Sequence, residues 1–437
     1  MYGRYATHSP ASMVHTKQGL TIVVLGASGD LAKKKTYPSL LKLFVNGFLP
    51  DHAHIIGFAR SKYTNESFRE KYRDILKGAA GENGDKMCDK FLSLCTYCQG
   101  NAYDDADAWV RVNQAATQTE QAFGHETANR VFYFAVPPNV FASTGAVIKA
   151  KCMSPTGFNR MIIEKPFGRD SESSRELGEQ LSRLFREEEL YRIDHYLGKE
   201  IVQNLLVLRF ANVFLQPLWN RNYVKSVIIS FKEDVGTMGR GGYFDHYGII
   251  RDVMQNHLLQ ILSLIAMEPP VRVSGSGYAN FVRDEKVKVL RCISLHPDDM
   301  ILGQYVTNGT EPGYLDDDTV PEASITPTYA LAKFNVNNAR WAGVPFVMKA
   351  GKALDERKCE VRIQFKHPPG AEFEFGGAEV PLNELVIRVQ PNDAIYFKFN
   401  VKTCVLNQSQ GVGIGGNIRQ VHIDSAAYTD ASPLSSR

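Results

Sequence analysis

Long apolar runs are what this 437-residue chain most plainly lacks. No stretch approaches the roughly 18–20 apolar residues that a membrane helix needs, and no apolar leader core sits near Met1. Charge of one sign is also scarce. Fifty Lys+Arg stand against 47 Asp+Glu, a formal net charge of +3, which gives no basic field for nucleic acid. Disorder-prone composition is missing too, since 44% hydrophobic and 22% charged residues match ordinary globular usage. Cysteines are few, seven in all, and an odd count without a leader reads as reduced thiols. Cys95-Thr-Tyr-Cys98 has the spacing of half a zinc or redox site, yet no second Cys/His pair matches it. Two plain thiols, and no metal, are expected there. A soluble, non-secretory chain with no membrane and no nucleic-acid partner remains, long enough for two domains or three at roughly 100–200 residues each.

What is present is alternation. Residues 21–25, 54–58, 131–136 and 161–163 are short Val-, Ile- and Phe-rich runs, the signature of strands buried on both faces. Helix-prone stretches such as 67–77 and 105–123 lie between them. Strand and helix in turn predict an α/β Rossmann-like domain with a doubly wound parallel sheet. After Asp194 the pattern changes: a helix is expected over 199–212, a strand over 224–232 and an apolar-faced helix over 249–267. Val361, Ile363 and Phe365, then Leu385, Ile387 and Val389, interleave with more polar residues, which predicts an α+β domain with a large antiparallel sheet. The expected organisation is an N-terminal arm (1–19), a nucleotide-binding domain (20–195), an α+β domain (196–402) and an unordered Gly/Ser/Asn/Gln-rich tail (403–437).

Gly26-Ala-Ser-Gly29-Asp-Leu-Ala32 follows the first strand and opens a helix. Its spacing, G-x-x-G-x-x-A, suits a backbone that approaches a pyrophosphate at a helix N-terminus. The second strand ends not in an acid but in Ala59-Arg60-Ser61-Lys62. A guanidinium pairs with a 2′-phosphate rather than accepting a ribose hydroxyl, so NADP is favoured over NAD.

Ile163-Glu-Lys165-Pro166-Phe-Gly168 closes another strand and sets a lysine where substrates meet cofactors in open α/β sheets; Pro166 admits a cis bond. Arg192-Ile-Asp194-His195-Tyr196-Leu-Gly-Lys199 gathers donors that together suit a phosphate monoester. His257 sits on the apolar stripe of Ile250, Val253, Met254, Leu258, Ile261 and Ile265. It is either a core histidine bonded to backbone or, with a carboxylate from elsewhere, a general base. Lys349-Ala-Gly-Lys352 through Arg357-Lys358 adds a basic cluster, a solvated hairpin or a second anion clamp; His246 and Arg283-Asp-Glu-Lys286 are expected at the surface.

Taken together, the 26–32 loop, Glu164-Lys-Pro-Phe-Gly168, the 192–199 string and Arg251-Asp-Val-Met-Gln-Asn-His257 resemble glucose-6-phosphate dehydrogenase over about residues 20–402. The resemblance implies a cytoplasmic enzyme that oxidises D-glucose 6-phosphate at C1 to the lactone, with NADP⁺ as hydride acceptor, at the head of the oxidative pentose phosphate pathway. It implies His257 as base, Asp194 as its orienting carboxylate and Lys165 as the bridge between substrate and nicotinamide. His195, Tyr196, Lys199, Lys352 and Arg357 would hold the phosphate, with Glu233, Asp252 and Gln390 on sugar hydroxyls. Gly26, Ala27, Ser28, Gly29, Asp30, Leu31 and Arg60 match the coenzyme site, and Phe141 replaces a tyrosine of some members. Lys358, Arg362, Arg388, Tyr396 and Lys398 match part of a second, structural NADP site. The match is expected to stop near Lys402, leaving the family's homodimer or tetramer interface incomplete, as a frameshift or alternative exon would. Two other readings stand beside it: a catalytically silent NADP-binding or dimer-poisoning protein, and another Rossmann sugar oxidoreductase, against which the phosphate-gripping cluster argues.

Overall fold

The computed structural model describes residues 19–50, 52–77, 84–124, 127–275, 277–370, 380–402 and 418–424. It divides between Ile193 and Asp194, so that Asp194 and His195 open the second unit rather than close the first.

The first unit holds six strands: β1 (Gly19–Leu25), β2 (Ala53–Ala59), β3 (Cys95–Gln99), β4 (Ala128–Phe134), β5 (Asn159–Glu164) and β6 (Leu190–Ile193). All pairs are parallel and the order is 3-2-1-4-5-6, the dinucleotide-binding arrangement. Val23, Val24 and Leu25 are fully buried because helices cover both faces, which is why β1 reads as an unbroken apolar run. Those helices are α1 (Tyr37–Val45), α2 (Asn65–Leu76), α3 (Gly84–Ser93), α4 (Ala106–Ala122), α5 (Phe141–Lys151) and α6 (Ser171–Leu184). Side-chain caps start several of them: Thr64 accepts from the Ser67 amide at 3.2 Å and Asp105 from the Ala108 amide at 3.0 Å.

The second unit is built on a nine-stranded sheet with helices packed against it. Its strands are β7 (Val224–Lys232), β8 (Ile293–Ser294), β9 (Met300–Gly303), β10 (Tyr329–Val336), β11 (Pro345–Gly351), β12 (Lys358–Phe365), β13 (Glu384–Gln390), β14 (Ala394–Lys402) and β15 (Ile418–Asp424). The order is 15-14-13-12-7-11-10-8, with β9 on β10, and only β7 and β11 run parallel. Cys359, Val361, Ile363, Leu385 and Ile387 point into the core as the alternation predicts. β15 departs from the expectation of an unordered tail: residues 418–424 pair antiparallel with β14. The other tail residues and most of the N-terminal arm lie outside the described residues.

Helices α7 (Glu200–Phe210), α8 (Gly241–Asp245), α9 (Leu259–Ala266) and α10 (Tyr278–Cys292) complete the unit. Arg209, buried near the end of α7, donates to the Leu264 and Met267 carbonyls at 2.6 and 2.7 Å, capping the end of α9. Two helices tied end to end run side by side, so the turn before α7 and the segment before α9 meet at their opposite ends. That meeting point is the site.

Candidate active site

The segment before α9, Ile250–Leu258, is π-helical, with bonds one residue longer than an α-helix. The apolar-faced helix expected over 249–267 is thus two segments, this one and α9. The wider turns leave Val253, Met254 and Leu258 in the core and also bury His257, at 3% exposure. Its partner comes from 63 residues away: His257 Nδ1 lies 2.7 Å from Asp194 Oδ1. The same oxygen accepts the Tyr196 amide at 2.9 Å, which fixes the carboxylate in a tight turn. Burial by itself would push the Asp194 carboxyl up, but the hydrogen bonds from His257 and Tyr196 and the histidine's charge hold it below its ordinary 3.8. An ionised acceptor on Nδ1 places the ring proton there and leaves Nε2 as the basic nitrogen.

Two aromatic rings flank the imidazole. Tyr196 stacks on it at 4.5 Å between centroids and 25° between planes, and His195 meets it edge-on at 4.4 Å. The Lys199 ammonium stands 5.3 Å from the Tyr196 ring, at the N-cap of α7. His195, Tyr196, Lys199 and the Asp194–His257 pair therefore form one cluster. Arg357 acts on Tyr196 electrostatically, while burial drives that phenol's pKa upward. Glu233 and Lys352 follow β7 and β11, the two parallel strands, and the parallel register sets them side by side, with the lysine ammonium on the glutamate carboxylate. Asp252 lies on the π-helical segment and Gln390 ends β13 beside Cys359. Lys286, expected at the surface, is instead half-buried: it donates to Gln260 Oε1 at 2.8 Å and feels the Asp194 charge. Only the fold, which brings α10 against α9, reveals it. His246 is exposed as expected.

In the first unit, Gly26 adopts φ +72, and a Cβ there would lie 2.3 Å from the Ala135 carbonyl oxygen. The chain thus leaves β1 through a turn with room for bare backbone only, at the point where the strand order reverses and facing the start of a helix at residue 30. Ala32 is fully buried, allowing the helix to approach the sheet. Ser28 accepts from Ser61 Oγ at 2.9 Å, joining this loop to the end of β2, where Arg60 is exposed. This is a fit for a dinucleotide diphosphate, with Ala27, Gly29, Asp30 and Leu31 on the same turn. Lys165 directly follows β5 and its bond to Pro166 is cis. Cys95 is buried with its thiol pushed far up by desolvation, and no metal-binding His/Cys/Asp/Glu group occurs among the described residues.

Lys358 and Arg362 of β12, Arg388 of β13 and Tyr396 and Lys398 of β14 share one face of the sheet. Sequence reasoning missed the acids between them. Lys398 pairs with Glu384 at 3.0 Å, Arg362 with Glu384 and Glu360 at 3.3 Å each, and Lys358 with Glu360 at 3.7 Å.

Comparison with known proteins gives a consistent answer. The glucose-6-phosphate dehydrogenase NAD-binding domain model matches residues 23–204 and the C-terminal domain model of the same family matches 206–432. The second match runs on past Lys402, where the motif-based resemblance ended. A glucose-6-phosphate 1-dehydrogenase of Dictyostelium discoideum is 49% identical over 93% of this chain and 78% of its own length. Cytoplasmic glucose-6-phosphate 1-dehydrogenase 6 of Arabidopsis thaliana is 49% identical over 88% of this chain and 73% of its own. A solved glucose-6-phosphate dehydrogenase in complex with its substrate superposes with a TM-score of 0.85 at 46% identity, covering 94% of this chain and 81% of that one.

Proposed function

The chain belongs to the glucose-6-phosphate dehydrogenase family, and we propose from that premise how its residues oxidise D-glucose 6-phosphate at C1 to the lactone. The observation that carries the reading is the His257–Asp194 hydrogen bond of 2.7 Å beside the phosphate-type donors His195, Tyr196 and Lys199. His257 Nε2 takes the C1 hydroxyl proton, since hydride leaves C1 only as that proton departs. Asp194 holds the tautomer and stabilises the imidazolium that forms. His195, Tyr196, Lys199, Lys352 and Arg357 hold the phosphate; Glu233, Asp252 and Gln390 take the sugar hydroxyls. When bound, the nicotinamide dinucleotide supplies the hydride acceptor.

NADP⁺ is the dinucleotide this reading assigns, supported by exposed Arg60 where an NAD enzyme has an acid. Gly26, Ala27, Ser28, Gly29, Asp30, Leu31 and Lys165 complete the coenzyme set. Lys358, Arg362, Arg388, Tyr396 and Lys398 are assigned to a second, structural dinucleotide. A homodimer or tetramer and a cytoplasmic location belong to the same proposal, the latter supported by the Arabidopsis relative's name. The test is NADPH absorbance from the 437-residue protein with glucose 6-phosphate, glucose, NADP⁺ and NAD⁺ in every pairing. Turnover that needs the phosphate and prefers NADP⁺ is expected; equal turnover of glucose overturns the phosphate assignment.

A further inference from the structure

Resting on the reading of Arg60 as the 2′-phosphate contact, the geometry assigns Tyr97 as the positioning residue that sets coenzyme preference. Tyr97 touches neither phosphate nor base in this account. It lies on β3, and its hydroxyl reaches the Ser61 carbonyl at 2.6 Å and the Ala59 carbonyl at 3.1 Å, the two carbonyls on either side of Arg60. Gln99, two residues along the same strand face, reaches the Arg60 carbonyl itself at 3.5 Å. The last carbonyl of β2 and the two that follow it thus face β3 side chains: the single Tyr97 proton points to Ser61, with Ala59 as the longer arm of a shared bond, and the Gln99 amide reaches Arg60. The Gly100 amide also donates to the Ala59 carbonyl at 3.2 Å, so backbone pairing holds the strand end at residue 59 and the two side chains extend that hold to residues 60 and 61.

The anchor is itself held. The Tyr97 ring stacks on Phe68 at 4.9 Å and meets Tyr63 edge-on at 5.5 Å, and its amide donates to Asn65 Oδ1 at 2.7 Å. Burial raises its phenol well above the ordinary range, so the hydroxyl stays protonated and remains a donor. The Arg60 guanidinium comes to 5.8 Å from the Tyr103 ring, and Ser61 Oγ donates to Ser28 of the glycine loop at 2.9 Å. The Tyr97 hydroxyl therefore supplies the shortest bond to the backbone from which the guanidinium projects and, through Ser61, sets the register of that turn against the phosphate loop. A group that reads one phosphate on a ribose must be placed to within a fraction of an ångström, so backbone anchoring is where specificity is set.

The test compares Tyr97→Phe with Arg60→Ala and the parent protein. Calorimetry measures binding of 2′,5′-ADP and of 5′-ADP, which differ only in the phosphate at issue; melting temperature and NADP⁺- and NAD⁺-linked rates are read alongside. Phenylalanine keeps the ring packing and removes the hydroxyl. For Tyr97→Phe the ratio of 2′,5′-ADP to 5′-ADP affinity is expected to fall about five- to tenfold, the worth of one hydrogen bond, with 5′-ADP binding unchanged. For Arg60→Ala the ratio is expected to collapse towards one. An Arg60→Ala protein that keeps its preference overturns the Arg60 reading and this inference with it. A collapsed ratio for Arg60→Ala beside an unchanged one for Tyr97→Phe overturns this inference alone. So does an equal loss for both nucleotides accompanied by a lower melting temperature, which marks a purely structural tyrosine.

Discussion

Replacing Asp194 by Asn isolates the charge behind the proposed base. Both the Tyr196 amide and His257 Nδ1 bond to the same oxygen, Oδ1, at 2.9 and 2.7 Å. An asparagine carbonyl oxygen can occupy that position and accept both, so the tautomer and ring orientation survive. What is lost is the attraction between the carboxylate and the imidazolium that forms as the C1 proton is taken. With charge centres about 4 Å apart at an effective dielectric near 20, that attraction is about 4 kcal/mol. Because it exists only once the ring is charged, it falls on the transition state and lowers kcat by about three decades. The assay is steady-state NADPH formation, with coenzyme affinity and melting temperature measured on the same preparation. A loss of kcat smaller than about tenfold, with the protein folded, refutes the reasoning, since an attraction of about 4 kcal/mol requires a far larger one.

Further outcomes follow from other parts of the structure. Asp194 has a carboxyl pKa depressed by folding, so its stabilising contribution is complete above the ordinary 3.8 and is lost as pH falls through the depressed value. Melting temperature plotted against pH should therefore fall less steeply at the acid end in Asp194→Asn than in the parent. Gly26→Ala forces a side chain into φ +72 and against the Ala135 carbonyl. It should cost about 1–3 kcal/mol by thermal unfolding and abolish measurable 2′,5′-ADP binding, because the turn must open to make room. Lys199→Ala removes a charge-assisted contact worth about 1.5–3 kcal/mol, so the KM for glucose 6-phosphate should rise about 10- to 100-fold while that for NADP⁺ holds.

Much of the fold was legible because burial on two faces writes a plain pattern. β1, β2 and β4 carry near-continuous apolar runs, β5 a short one at Met161–Ile163, and Val361/Ile363 and Leu385/Ile387 recur at the period-two spacing of a strand. β3 and β6 were not legible. Cys95-Thr-Tyr-Cys-Gln99 and Leu190-Tyr-Arg-Ile193 sit at the two edges of the sheet, where burial is partial and no apolar run is required. The π-helical turn at His257 hides for a different reason. Nine residues are too few turns for an apolar stripe to tell a helix of 3.6 residues per turn from a wider one. At the site, the residue types could be found in the sequence but their partnerships could not. Nothing local says that Asp194 finds His257 across 63 positions, and only the resemblance proposed it. The Glu233–Lys352 pair depends on β7 and β11 running parallel inside an otherwise antiparallel sheet, a register no alternation encodes. Lys286 reads as solvated because it ends the charged run Arg283-Asp-Glu-Lys286; its half-buried ammonium depends on Gln260, one turn after His257 on another helix.

The most direct measurement is the turnover of His257→Asn with glucose 6-phosphate and NADP⁺, read beside the affinity of the same protein for NADP⁺. Removal of a general base predicts a fall in kcat of roughly 10²–10⁴-fold with coenzyme affinity preserved. Near-parental turnover in a folded His257→Asn protein contradicts the account, for it would mean that some other group takes the C1 proton.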